Sequence, residues 1–85
     1  MRKFARVCTA TNKGMNRGFC VFDGVAYFIE EKHLIEFLRK RVDGIDELSD
    51  EDMLEYCFEN EDYYYTEWSV EDSDELYDEN GNQIV

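Results

Sequence analysis

Eighty-five residues carry 9 Lys and Arg against 21 Asp and Glu, a net charge of -12. A chain of this length withdraws only about 60% of its unfolded surface from water, which excludes a multidomain enzyme. With 44% hydrophobic and 15% aromatic residues it holds too much core material for wholesale disorder.

Phe4, Arg6 and Cys8 alternate with Ala5 and Val7, which predicts a first strand over Lys3–Cys8. Thr9–Gly18 is polar and carries two glycines, a loop longer than a tight hairpin connection. Phe19–Phe22 and Val25–Ile29 flank Asp23-Gly24, a dipeptide that tolerates positive φ, so the segment reads as a hairpin closed by a two-residue turn. The period changes at Glu30: Leu34, Leu38 and Val42, with Ile35 and Phe37 alongside, predict a helix over Glu30–Val42 capped by Gly44. Glu30 and Glu31 in its first turn and Arg39, Lys40 and Arg41 in its last suit the helix dipole, a structural reason for the basic cluster. Ser49-Asp50-Glu51-Asp52 resembles a capping box and opens a second helix, with Met53, Leu54, Cys57 and Phe58 on its apolar face. Tyr63–Val70 reads as a strand with Tyr64, Thr66 and Trp68 on one side and Tyr63, Tyr65 and Glu67 on the other, one side being core. Asn80-Gly81 predicts a type I′ turn between Leu76–Glu79 and Asn82–Val85, a closing hairpin. The order βββ-α-α-β-ββ predicts one α+β domain over residues 1–85, an antiparallel sheet packed against two helices.

The charge is divided along the chain. All nine basic residues lie within 1–42, opposed only by Asp23, Glu30, Glu31 and Glu36; residues 43–85 carry 17 carboxylates and no Lys or Arg. Even complete pairing between the halves leaves 12 acids over, and their mutual repulsion works against the compact state. No apolar run reaches the ~18 residues of a membrane span, and none follows the basic N-terminus as in a secretory signal. The expected location is therefore the cytoplasm, where free thiols or metal ligands are the natural states of three cysteines.

Familiar catalytic patterns do not fit. Cys8, Cys20, His33 and Cys57 make a chemically ordinary zinc ligand set, but no C-x-x-C pair exists, and Cys20 and Cys57 fall where apolar residues suit a strand and a helix. A cysteine nucleophile with His33 as base lacks a marked orienting group or oxyanion-binding feature. Lys13-Gly14-Met15-Asn16-Arg17-Gly18 lacks the ending of a phosphate-binding loop. Asp78-x-Asn80-Gly81 has the look of a calcium loop, but the chain stops before the twelfth-position glutamate.

The acids themselves have a usable geometry. Glu51, Glu55 and Glu59 stand at i, i+4 and i+8 on the second helix, a ridge with Cβ atoms about 5–6 Å apart. Asp72 and Asp74, taken as extended chain, lie about 6.8 Å apart on one face. Such rows match the scale of phosphate spacing and suit a Lys/Arg groove that another protein uses for DNA or RNA, with counterion release as the driving force. Tyr63, Tyr65 and Tyr56 are the candidate aromatic anchors beside them, and Asp62 extends the acidic run.

Cys8-Thr9-Ala10-Thr11, Gly14-Met15-Asn16-Arg17-Gly18-Phe19 and Tyr64-Tyr65-Thr66-Glu67-Trp68 resemble segments of short, acidic, functionally uncharacterised proteins of phage and bacterial genomes. The resemblance implies no activity and carries no site residue. A phage origin would imply a host-directed inhibitor acting in the host-cell cytoplasm, in the manner of acidic proteins that block nucleases, restriction systems or CRISPR effectors.

The reading that results is a non-enzymatic acidic binding module or inhibitor of nucleic-acid-mimic type. Its expected partner is a basic nucleic-acid-binding protein such as a nuclease or defence effector, engaged through Glu51, Glu55, Glu59, Asp62, Tyr63, Tyr65, Asp72 and Asp74, with no cofactor. Direct nucleic-acid binding is excluded by a field that repels phosphate. The alternatives are a small zinc-binding adaptor using Cys8, Cys20, His33 and Cys57, and a protein that self-associates through its basic and acidic halves.

Overall fold

A computed structural model describes residues 2–84. Its elements are β1 (Arg6–Val7), β2 (Gly14–Met15), β3 (Arg17–Val21), β4 (Ala26–Phe28), α1 (Glu31–Arg41), α2 (Asp50–Glu59) and β5 (Tyr63–Glu67). The fold is α+β, with two antiparallel sheets: the pair β1-β2 and the triplet β4-β3-β5. The two charge halves do not form separate units, because β5 of the acidic half pairs with β3 of the basic half through Arg17↔Glu67, Phe19↔Tyr65 and Val21↔Tyr63.

The first strand is shorter than its alternation suggests. Only Arg6 and Val7 pair, with Met15 and Gly14, while Phe4 instead exchanges two backbone hydrogen bonds with Tyr77 at 2.9 Å each. The segment read as a plain loop thus contains β2. Asn16 makes the corner after β2: its side-chain oxygen accepts from Ala5 N–H and its amide donates to the Lys3 carbonyl.

In the β3–β4 hairpin Val21 pairs with Ala26, leaving the four residues 22–25 as the loop. The expected two-residue turn is corrected here. Phe22, Asp23 and Gly24 all take positive φ, at 49°, 56° and 108°. The wider loop lets the Phe22 ring turn onto Phe37 of α1, 6.0 Å away, and aromatic burial offsets an unfavourable backbone.

Both helices form close to their expected spans. Glu30 is the N-cap of α1 and Val42 its C-cap, with Arg39, Lys40 and Arg41 in the last turn; Gly44, at φ 85°, makes the left-handed bend two residues later. Ser49 caps α2, its hydroxyl accepting from Asp52 N–H at 3.2 Å. Leu34 and Leu38 of α1, Met53 and Cys57 of α2 and Ile45 between them pack onto Val21, Ala26 and Phe28 of the sheet. Arg39 closes the inter-helix loop by donating to the Ile45 and Leu48 carbonyls and to the Asp50 carboxylate.

The C-terminal segment corrects two further expectations. β5 ends at Glu67 rather than Val70, and the closing hairpin reduces to a single Tyr77↔Gln83 bridge; Val85 lies outside the described residues. The Asp78 carboxylate accepts from the N–H groups of Asn80 and Asn82, so a side chain reinforces a turn whose arms are joined by the backbone bonds Asp78 N–H to Asn82 O and Ile84 N–H to Leu76 O. The bonds to the carboxylate hold the Asp78 carboxyl below the ordinary carboxylate range, led by the Asn82 N–H.

Candidate functional site

On α2 the sequence alternates core and acid so that Met53 and Cys57 point inward, leaving Glu51, Asp52, Glu55, Tyr56, Phe58 and Glu59 exposed. The expected ridge of Glu51, Glu55 and Glu59 is therefore on the surface. Phe58, expected in the core, is 57% exposed. The helix ends one residue later, and its ring rests edge-on against Tyr63, 5.7 Å away.

β5 divides its three tyrosines. Tyr63 faces α2 and donates its hydroxyl to the Leu54 carbonyl at 3.0 Å. Burial, then the neighbouring Cys57 and Glu31, push its phenol upward. Tyr65 lies on the same face, 56% exposed, with its ring edge-on to Phe19 at 5.1 Å. Tyr64 points to the other face and is 41% exposed. Its phenol is raised by a hydrogen bond with Cys20, then by the charge of that thiol, burial, Asp23 and Tyr27. Of the three, Tyr64 and Tyr65 are accessible and Tyr63 is a packing residue.

Asp62 is likewise structural. It is half-buried, its N–H donates to the Cys57 carbonyl, and its carbonyl accepts from Phe22 N–H at 2.8 Å. Burial raises the Cys57 thiol and the Asp62 carboxylate raises it further, which places that carboxylate beside the sulfur.

Asp72 and Asp74 are not on an extended segment. Turns closed by Asp72 N–H to Ser69 O and Ser73 N–H to Val70 O separate them from β5. With Glu75, Tyr77, Tyr27 and Ala5 they border a groove of about 500 Å³ that holds Arg6. The Arg6 guanidinium lies over the rings of Tyr27 and Trp68, at 5.7 and 5.3 Å. These acids thus share a groove with a base of their own chain, away from the row on α2.

A second cleft of about 590 Å³ opens where α2, β5 and the β3–β4 loop meet. Asp23, Phe58, Glu59, Glu61, Tyr63 and Tyr64 line it. Of these, Asp23, Phe58, Glu61 and Tyr64 carried no functional reading in the sequence. The signal for Glu61 is a position: it follows the helix at φ 61°, where its backbone turns sharply into β5.

Across the described residues only one ion pair, Arg39–Asp50 at 2.7 Å, reaches a carboxylate of the second half; Lys32 and His33 pair with Glu30. Among the described residues the other acids of the second half have no cation of this chain in ion-pair range, and all but the half-buried Asp62 and Asp78 are exposed.

The cysteines are all buried, and no group of three or more His, Cys, Asp or Glu among the described residues is arranged to hold a metal ion. Cys8, Cys20, His33 and Cys57 are not brought together as zinc ligands. Cys20 contacts Tyr64, Cys57 contacts Asp62, and His33 Nδ1 lies 3.6 Å from Glu30. Burial would raise the Cys8 thiol, but hydrogen bonds from the Thr11 hydroxyl and from backbone groups of Ile29, Thr11 and Ala10 outweigh it and hold the thiol below its ordinary range.

No helix among the described residues is long and apolar enough to cross a membrane. Comparison with protein-family models, curated proteins and solved structures finds no match to this chain.

Proposed function

We propose that this protein is a non-enzymatic acidic binding module that docks on the basic, nucleic-acid-binding surface of another protein and competes with its nucleic acid. The observation that carries this reading is the exposed face of α2, where Glu51, Asp52, Glu55 and Glu59 alternate with Tyr56 and Phe58. Carboxylates alone are readily solvated. Accessible rings among them supply the apolar anchors on which protein interfaces depend.

Shape and charge density support the same reading. The backbone measures 44 × 21 × 16 Å, and its net charge of -12 over the long axis amounts to about one charge per 3.7 Å. A single nucleic-acid strand presents one per ~3.4 Å. A cationic groove shaped for a phosphate backbone would meet a comparable field. If the gene is carried by a phage, a host nuclease or defence effector is the natural partner.

The test is titration against purified basic nucleases and nucleic-acid-binding effectors over a range of salt, with DNA or RNA as competitor. Binding that weakens steeply with salt, yields to nucleic acid and drops in the Glu51→Gln/Glu55→Gln/Glu59→Gln variant is expected. Salt-insensitive binding, or binding unaffected by the three substitutions, overturns the proposal.

A further inference from the structure

Resting on that reading, we infer that the cleft between α2, β5 and the β3–β4 loop receives an arginine side chain of the partner polypeptide. The cleft volume, about 590 Å³, falls within the range typical of ligand sites. Its composition selects the occupant: Phe58 and Tyr64 offer accessible rings, and Asp23, Glu59 and Glu61 offer carboxylates around them. The C-terminus of α2 ends at the same place. Its last turn holds no basic residue, so the negative end of the helix dipole adds to the acids.

The chain's own cations are elsewhere. Arg2 lies over Phe4, Arg6 over Tyr27 and Trp68, and Arg41 over Phe37, whereas none of these arginine–ring contacts involves Phe58, Tyr63 or Tyr64. Among the described residues no Lys, Arg or His lines the cleft. It is an aromatic and anionic recess whose complementary charge must come from outside. Of the two common cations, guanidinium fits better, because it is planar, stacks on aromatic faces and donates in pairs to carboxylates, whereas ammonium is a compact and strongly hydrated point charge.

Tyr64 is fixed opposite Cys20 in the β3–β5 ladder, and the contact with Tyr63 steadies Phe58 from the side. The walls are thus largely set before a ligand arrives, which lowers the ordering cost of binding.

The experiment uses the full chain, isotope-labelled, titrated with two peptides of equal length and charge in which glycine alternates with arginine or with lysine. The arginine peptide is expected to bind about fivefold more tightly, with saturable amide shifts confined to residues 22–24 and 58–64. Phe58→Leu, which keeps bulk and net charge but deletes the ring at an exposed position, is expected to remove that preference. Asp23→Asn/Glu59→Gln should weaken both peptides. Equal affinities with shifts spread along α2 would overturn the arginine cleft while leaving the acidic binding face intact. The absence of shifts with either peptide at low salt would overturn both.

Discussion

Replacing Arg39 tests how the acidic helix is held against the rest of the molecule. Its guanidinium donates to the Ile45 carbonyl at 3.2 Å, to the Leu48 carbonyl at 3.0 Å and to Asp50 at 2.7 Å. The side chain is 29% exposed, so the two carbonyl bonds lie partly out of water. Each such bond to a charged donor contributes roughly 1–1.5 kcal/mol after discounting for that exposure. The pair with Asp50, whose side chain is mostly exposed, adds at most ~1 kcal/mol. Arg39→Ala should therefore cost about 3 kcal/mol, a large part of the roughly 4–13 kcal/mol expected for a domain of 85 residues. A loss of that size lowers Tm by about 15 °C. Urea and thermal melts of Arg39→Ala, Arg39→Lys and Asp50→Asn separate the contributions. Asp50→Asn should lose no more than ~1 kcal/mol. Arg39→Lys, which keeps the charge but not the planar fork, should lose about 2 kcal/mol. If Arg39→Lys melts with the unmodified protein, or Asp50→Asn costs as much as Arg39→Ala, the two carbonyl bonds do not hold the loop.

Because a single described ion pair reaches the acidic half, raising salt from 0.01 to 0.5 M should raise Tm by about 5 °C as screening relieves repulsion; a flat or falling Tm in calorimetry contradicts this. Cys57 and Tyr63 are acids raised by folding, so their contribution is present below their unfolded pKa values and is lost as pH rises through the folded ones. Cys57→Ala and Tyr63→Phe should each flatten the decline of stability above about pH 9. Cys8 is lowered, so its contribution is fully present above the unfolded pKa and is lost as pH falls through the folded one; Cys8→Ala should remove a rise of stability with pH that ends at about pH 9. Equal slopes in alkaline urea titrations would refute these assignments. Gly81 and Gly44 both take positive φ, but a Cβ on Gly81 would strike the Asn12 carbonyl while one on Gly44 meets open space. Gly81→Ala should therefore cost about 2–3 kcal/mol against about 1 for Gly44→Ala, and equal urea midpoints would reject the steric account.

The elements that the sequence disclosed best are those governed by local rules. α1 and α2 follow from apolar spacing, the dipole-matched ends of α1 and the Ser49 cap, all of which act within a few residues. The elements it disclosed poorly depend on partners far along the chain. Nothing within 9–18 announces β2, because its partner is β1, and its Gly14 is needed where a Cβ would meet Phe4 and the Asp78 carbonyl. Nor do local residues show that Phe4 pairs with Tyr77, 73 positions further along the chain. The Asp23-Gly24 turn misled for a related reason: the ring of Phe22 finds its place on Phe37, and that distant contact selects a four-residue loop over the tight turn that the dipeptide favours.

The same distinction governs the candidate surface. A ridge at i, i+4 and i+8 is a property of one helix, so Glu51, Glu55 and Glu59 were legible as soon as α2 was. Asp62, Tyr63, Asp72 and Asp74 depend on how the chain leaves that helix. Glu61 at φ 61° swings Asp62 toward Cys57 and Tyr63 toward Leu54, and the turns after Ser69 carry Asp72 and Asp74 to Arg6. That bend also strands Phe58 at the helix end and sets it in one cleft with Tyr64 and Asp23, residues separated by up to 41 positions. Charge is additive along a sequence and so can be counted in advance. A recess has to be assembled, and here the left-handed residue between α2 and β5 is what joins a solvated acidic helix to an aromatic wall able to hold a cation in place.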